Sequence, residues 1–234
     1  MLLVFDLDGT LVDSGRDLAD SGNALLVSYG AAPLEERSVI GMVGEGAAVL
    51  VARLMAARGV EADRAEALAR FLAFYDERLL AHTLPYPGIP EALEELRGWA
   101  RLAVLTNKPG AATARILDGL GLRPAFDRVI GGDAAVGRKP DPAGLQLLVR
   151  EAGADGSPAV MIGDSLVDLR TAHNAGTHVC LTRYGFGFAS CPSDAFRGDE
   201  LFVDAPSELP RVLRRFLAPA ALARQRPKGS SQEA

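Results

Sequence analysis

The chain has 234 residues, 48% of them hydrophobic, enough to bury a sizeable core without disulfide or metal staples. Its 25 basic and 30 acidic residues leave a formal charge of −5 with no long run of either sign, which excludes a nucleic-acid or membrane surface and fits a small soluble partner. Cys180 and Cys191 have neither CxxC spacing nor a flanking His cluster, so no disulfide framework or zinc site is expected and a reducing compartment is.

The first element is a short apolar run at 2–5, Leu-Leu-Val-Phe, without the basic lead and cleavage site of a signal peptide. No apolar stretch approaches the roughly 20 residues of a membrane-spanning helix, so the chain reads as cytoplasmic. Asp6 and Asp8 end that run. In extended backbone, residues two apart project to one side, which places both carboxylates in one small space. The plainer alternative is a turn at Asp8-Gly9 opening a returning strand at 10–12.

Residues 15–82 break the rhythm, being rich in Ala, Leu, Arg and Glu at helical spacing with no convincing strand. They read as a helical domain inserted into a core made of 1–14 and 83–223. The chain passes into it through Val12-Asp13-Ser14-Gly15 and out through His82-Thr83-Leu84-Pro85-Tyr86-Pro87-Gly88, both with turn chemistry. Beyond it, apolar runs at 102–105, 128–130, 159–162 and 178–181, and a weaker one at 201–203, read as buried strands. Helical periodicity at 111–120, 142–152 and 166–175 lies between them, each segment closed by a nearby glycine. This alternation predicts an α/β fold, a doubly wound parallel sheet with helices on both faces. The tail, 224–234, looks disordered by composition. Phe71, Phe74 and Trp99 read as packing, and His82, His173 and His178 as surface or structural residues.

Other apolar runs also end in polar residues. Leu105 precedes Thr106-Asn107-Lys108, and Ile162 precedes Gly163-Asp164, with Asp168 four residues on. In a parallel sheet these positions gather at the carboxyl edge, where open α/β sheets bind ligands. Lys139, in Gly-Arg-Lys-Pro-Asp-Pro, can reach the same crevice, although a solvated turn lysine is the alternative. For Asp164 the alternative is an ordinary helix cap. Carboxylates gathered this closely repel by about 4 kcal/mol per pair at 4 Å in an effective dielectric of 20, so a positive group belongs among them. Hard oxygen ligands without His or Cys suit Mg²⁺.

Taken in order, Asp6-Leu7-Asp8-Gly9-Thr10, Thr106-Asn107, Lys139-Pro140 and Gly163-Asp164-Ser165-Leu166-Val167-Asp168 resemble the four motifs of the haloacid dehalogenase-like hydrolases across nearly the whole chain. The resemblance implies a Rossmann-like core with a small helical cap and a Mg²⁺-dependent phosphatase. It makes Asp6 the nucleophile that carries an aspartyl phosphate, Asp8 the acid and base, and Thr106, Asn107 and Lys139 the phosphoryl-binding groups. It places the metal on Asp6, the backbone carbonyl of Asp8, Asp164 and, through water, Asp168.

Gly44-Glu45-Gly46, within Gly41-Met-Val-Gly-Glu-Gly-Ala-Ala48, resembles the Val-Gly-x-Gly loop and following helix of the phosphoglycolate phosphatase subgroup, which implies a substrate contact there, and Tyr184-Gly-Phe-Gly187 after the fifth strand also resembles that subgroup. A glycine-rich turn between two helices is the alternative for the first. Residues 15–81 hold no Lys and no His, which excludes a Schiff-base phosphonate hydrolase and argues against a sugar phosphomutase. Pyrophosphate, a nucleotide monophosphate or a sugar phosphate remain alternative substrates, and a phospho-acceptor signalling domain is the rival class. Arg16, Arg37 and Arg53, three of seven arginines in the insertion, are candidate partners for a substrate carboxylate. The expected assembly is a monomer or homodimer.

Overall fold

The computed structural model describes residues 1–153 and 158–224. Six strands form one all-parallel sheet: β1 (Leu2–Phe5), β4 (Arg101–Leu105), β5 (Arg128–Ile130), β6 (Ala159–Gly163), β7 (His178–Thr182) and β8 (Leu201–Val203), in the spatial order β5-β4-β1-β6-β7-β8. Two further strands, β2 (Val12–Asp13) and β3 (Leu84–Pro85), pair antiparallel to each other; β3 has no counterpart among the expected elements, and β2 overlaps the alternative strand at 10–12 only at Val12. The run at 10–12 therefore does not return along β1. It pairs with the chain leaving the helical insertion.

The sheet is covered on both sides, and the period-2 alternation of its strands divides the core into two. Leu3, Phe5, Leu102, Val104, Val160 and Ile162 face one layer. That layer contains α5 (Ile89–Arg97), α6 (Gly110–Gly119) and α9 (Leu209–Arg224). Leu2, Val4, Ala103, Leu105, Ala159 and Met161 face the other, covered by α7 (Ala143–Glu151) and α8 (Leu166–Ala175). Burial on both faces explains why these strands read as unbroken apolar runs rather than as alternating ones. Each fully buried Leu, Ile or Phe contributes about 1.5–3 kcal/mol, so the central strands anchor the fold.

Between β2 and β3 lie α1 (Gly15–Ser28), α2 (Glu36–Ile40), α3 (Ala47–Arg58) and α4 (Arg64–Arg78). Leu25, Leu26, Leu50, Leu54, Ala67 and Phe71 pack them together in a core continuous with the first sheet layer. Asp63 caps α4 by accepting from the amides of Ala65 and Glu66. Buried Asp17 of α1 accepts from the amides of His82 and Thr83 and the Thr83 hydroxyl, tying the outgoing chain to the start of the insertion. No helix among the described residues is long and apolar enough to cross a membrane. Of the tail at 224–234, Arg224 ends α9 and the rest lies outside the described residues.

Candidate active site

The spatial order of the strands reverses direction about β1, whose carboxyl end lies between those of β4 and β6, and this is where an open sheet forms a crevice. Asp6 follows β1, and its amide donates to the carbonyl of Ile162 at 2.8 Å, so it leaves the sheet in a fixed direction. Thr106 follows β4, its amide held by Ile130 at 3.0 Å. Asp164 follows β6. The fourth group, Asp168, sits in the first turn of α8, where the side chain of Ser165 is the cap and Asp168 closes a capping box by accepting from the Ser165 amide and hydroxyl. The cap reading of Asp164 is thereby corrected by one residue. The Ser165 hydroxyl serves the helix end, and the Asp164 carboxylate is left facing the crevice.

Lys139 is buried, not a solvated turn lysine. Its Nζ donates to Asp168 at 2.5 Å and stands 2.8 Å from Asp6 Oδ1, an ion-pair contact without hydrogen-bond geometry. Oxygens of Asp6, Asp164 and Asp168 all lie within 4.8 Å of one another. Three buried carboxylates thus face one ammonium. Burial pushes the Asp6 carboxyl up to about 6; Lys139 pulls it down and the negative charges of Asp168 and Asp8 oppose that pull. Asp164 lies well above the carboxylate range, through burial first and then repulsion from Asp168 and Asp6, against the hydrogen bond from the Gly187 amide. Lys139 is held charged, because its two carboxylates outweigh the opposing effect of burial.

This arrangement fits a hard divalent cation. Asp6 Oδ1 is buried with no hydrogen-bond partner, and the surplus negative charge has no other counterweight among the described residues. Two glycines make the close approach possible. Gly9 has φ +81°, and a Cβ there would collide with the Asp164 carboxylate. A Cβ on Gly185 would meet both the Gly9 carbonyl and Asp164.

Asp8 lies apart from that trio. It accepts from Ser14 Oγ at 2.5 Å and from Lys108 Nζ at 2.9 and 3.0 Å. Lys108 also donates to Tyr75 of α4 at 2.5 Å. Burial opposes its charge, but Asp8 and Tyr75 outweigh it and the ammonium stays protonated. Reading the sequence assigned no role to Ser14, Lys108 or Tyr75. A signal for Lys108 did exist: only three of the 25 basic residues are lysines, and two of them, Lys108 and Lys139, follow sheet strands.

A cavity of about 230 Å³ opens over these groups. Asp6, Asp8, Thr106, Asn107, Lys108 and Asp164 form its polar floor, and Val43, Leu50, Phe71, Leu72 and Leu79 of the insertion its apolar roof. Gly44 and Gly46 line it, whereas Glu45 does not and pairs instead with Arg53. The Asn107 amide group donates to the carbonyls of Gly44 and Lys139, joining roof to floor. Phe71, read as packing, is buried and also lines the cavity. Arg16, Arg37 and Arg53 lie outside it and pair with Asp20, Glu35 and Glu45. His82 contacts Asp17 and His173 contacts Glu200, while the His178 ring packs on Phe216.

A carboxylate nucleophile candidate, a second carboxylate beside it, two lysines and a cation-binding trio at the carboxyl edge of a parallel sheet define a hydrolase of the α/β type. The chain belongs to the haloacid dehalogenase-like hydrolases, whose family model matches residues 1–176. It is 46% identical over 193 residues to the phosphoglycolate phosphatase of Rhodospirillum rubrum, covering 79% of this chain and 80% of that one. It is 38% identical over 224 residues to that of Caulobacter vibrioides, covering 93% and 94%. Among solved structures, a predicted phosphoglycolate phosphatase from Haemophilus somnus superposes with a TM-score of 0.82 at 31% identity, covering 91% and 97%.

Proposed function

We propose that this chain is a phosphatase that hydrolyses 2-phosphoglycolate to glycolate and phosphate through an aspartyl phosphate on Asp6. The observation that carries the reading is the juxtaposition of Asp6, Lys139 and the Asp164–Asp168 pair at a small cavity that Asp6, Asp8 and Asp164 line. Relatives so named, matching over most of both chains, support the substrate. A cavity of about 230 Å³ suits a metabolite of a few heavy atoms better than a nucleotide monophosphate.

Asp6 attacks phosphorus in line, and the bond to the glycolate oxygen breaks as Asp8 gives that oxygen its proton. Water then attacks the phosphorus, Asp8 takes the water's proton, and the Asp6–phosphorus bond breaks to release phosphate. Thr106, Lys139 and the backbone at Asn107 hold the phosphoryl oxygens, and Lys139 offsets the repulsion between Asp6 and an anionic substrate. Mg²⁺ fits Asp6, Asp164 and the Asp8 carbonyl, with Asp168 behind them, and supplies charge neutralisation at the phosphoryl group. Residues 15–82 act as a cap that excludes water, with Gly44 and Gly46 against the substrate. The enzyme works on a small phosphorylated metabolite in the cytoplasm, as a monomer or homodimer; the free thiols of Cys180 and Cys191 fit a reducing compartment.

The test is phosphate release from 2-phosphoglycolate, pyrophosphate, a nucleotide monophosphate and a sugar phosphate, with Mg²⁺ or chelator. The expected result is a Mg²⁺-dependent preference for phosphoglycolate that Asp6→Asn abolishes. Equal slow turnover of all four would reject the substrate, and turnover surviving Asp6→Asn would reject the mechanism.

A further inference from the structure

Among the described residues, the only basic side chain lining the cavity is Lys108. Lys139 pairs with Asp6 and Asp168, which leaves it to the phosphoryl group in the reading above. The Lys108 ammonium occupies the seam between the two parts of the molecule, because Asp8 belongs to the sheet edge and Tyr75 to α4 of the insertion. Tyr75 is itself well placed. Its ring stacks on Phe71 at 6.0 Å between centroids and lies 4.5 Å from Lys108 Nζ.

We propose that Lys108 is the receptor for a second anionic group on the substrate, a carboxylate one carbon from the ester oxygen, and that Tyr75 is a positioning residue that holds the ammonium for it. This rests on the phosphatase reading above and deepens it. In phosphoglycolate a single methylene separates the ester oxygen from the carboxylate. Asp8 serves the ester oxygen in that reading, and Lys108 Nζ is 2.9 Å from Asp8. A ligand that sets its ester oxygen against Asp8 therefore brings its carboxylate within reach of the lysine. The roof opposite is lined mainly by apolar side chains such as Leu50, Leu72 and Leu79, where an unpaired carboxylate would bear the full cost of desolvation; its polar side chains are Tyr75, already bound to Lys108, and Asp76, an anion paired with Arg115, and neither attracts a carboxylate. The substrate carboxylate takes the ammonium over from Asp8, which keeps its bond from Ser14 and is freed toward the leaving oxygen. Recognition and release of the acid group are then one event.

Binding to an Asp6→Asn background, in which the reading above expects no turnover, is measured by calorimetry in Mg²⁺ with 2-phosphoglycolate and with ethyl phosphate, which carries a methyl in place of the carboxylate. Adding Lys108→Gln is expected to weaken phosphoglycolate by roughly 10–100-fold, the range of a lost charge-assisted contact, and ethyl phosphate by less than about threefold. Lys108→Arg should restore part of the preference, and Tyr75→Phe should lose an intermediate share. In the active enzyme the same variants should lower the ratio of kcat/KM for the two esters, with KM for phosphoglycolate raised. Equal weakening of both ligands, or a preference that survives Lys108→Gln, overturns the proposal and leaves the phosphatase reading intact. A wild-type preference for a different phospho-carboxylate, erased by Lys108→Gln, upholds Lys108 and rejects phosphoglycolate as the substrate. Thermal melts check folding; should Lys108→Gln fail to fold, an unchanged ratio in both Lys108→Arg and Tyr75→Phe overturns the proposal.

Discussion

Asp6 sits where its own charge is disfavoured, and the sign of the consequence follows from where its proton is held. The native carboxyl keeps its proton up to about pH 6, while the unfolded chain releases it near the ordinary 3.8, with burial as the main cause. Between those values the native state binds more protons, so in chelator this group's contribution to stability is full below pH 3.8 and lost as pH rises through 6. The difference is on the order of 3 kcal/mol for Asp6 alone. Asp6→Asn removes it. In chelator at pH 7 the inactive variant is expected to be more stable than wild type by roughly 1–3 kcal/mol, with the gap closing toward pH 4, as read from urea unfolding. Mg²⁺ should favour the wild type increasingly as pH rises through 6, and a gap independent of both pH and Mg²⁺ would refute this account. Such a cost at the proposed nucleophile is the usual exchange of stability for chemistry.

At the scale of elements, the turns and caps that aim the site are also what hold it. Ser165 caps α8 and simultaneously orients Asp168. Ser165→Ala should cost about 1 kcal/mol in urea unfolding and also weaken Mg²⁺ binding by calorimetry, a pairing that a simple cap would not produce. Asp17 performs the corresponding task where the chain leaves the insertion. Burial opposes its charge, but the hydrogen bonds from His82 and Thr83 prevail and hold its carboxyl below the ordinary range. Its contribution is present above pH 3.8 and fades as pH falls through the depressed native value. Asp17→Asn is expected to cost about 2–3 kcal/mol at pH 7 and less at pH 3, measured by the same unfolding curves. Gly185→Ala puts a methyl against Gly9 and Asp164 and should cut kcat far more than it cuts stability, since backbone and carboxylate must move apart.

At the scale of the molecule, the cavity exists because an apolar helical roof meets a charged floor. Ala47, at the start of α3, lines it, so Ala47→Phe should fill the space and raise KM for phosphoglycolate by about tenfold or more while leaving the unfolding midpoint nearly unchanged. Across the outer rim, Arg115 of α6 pairs with Asp76 of α4, both largely exposed. A double-mutant cycle there should return a coupling below about 1 kcal/mol, so roof and floor are joined chiefly by Lys108–Tyr75 and the Asn107 bridge to Gly44 rather than by surface charge.

Patterns that are local in the chain were legible in the sequence. The six parallel strands appear as apolar runs because both their faces are buried, and the run at 102–105 differs from β4 only by the added Arg101. Asp6, Thr106 and Asp164 stood out because each lies just beyond a strand end, which a parallel sheet brings to one edge, and Lys139 and Asp168 because they sit in the loop after β5 and the helix after β6. What depended on the approach of distant segments was not legible. The pairing of β2 with β3 joins residues about 70 positions apart and leaves no periodicity to read. Tyr75 meeting Lys108 is set by how the insertion packs on the core, while Glu45 turning to Arg53 and Ser14 meeting Asp8 depend on irregular loop geometry that periodicity does not encode. A sequence records which side chains are apolar and how they repeat, and that suffices for strands, helices and the sheet edge. Which polar group finds which partner across that edge is decided by packing and desolvation, which only the tertiary structure brings into being.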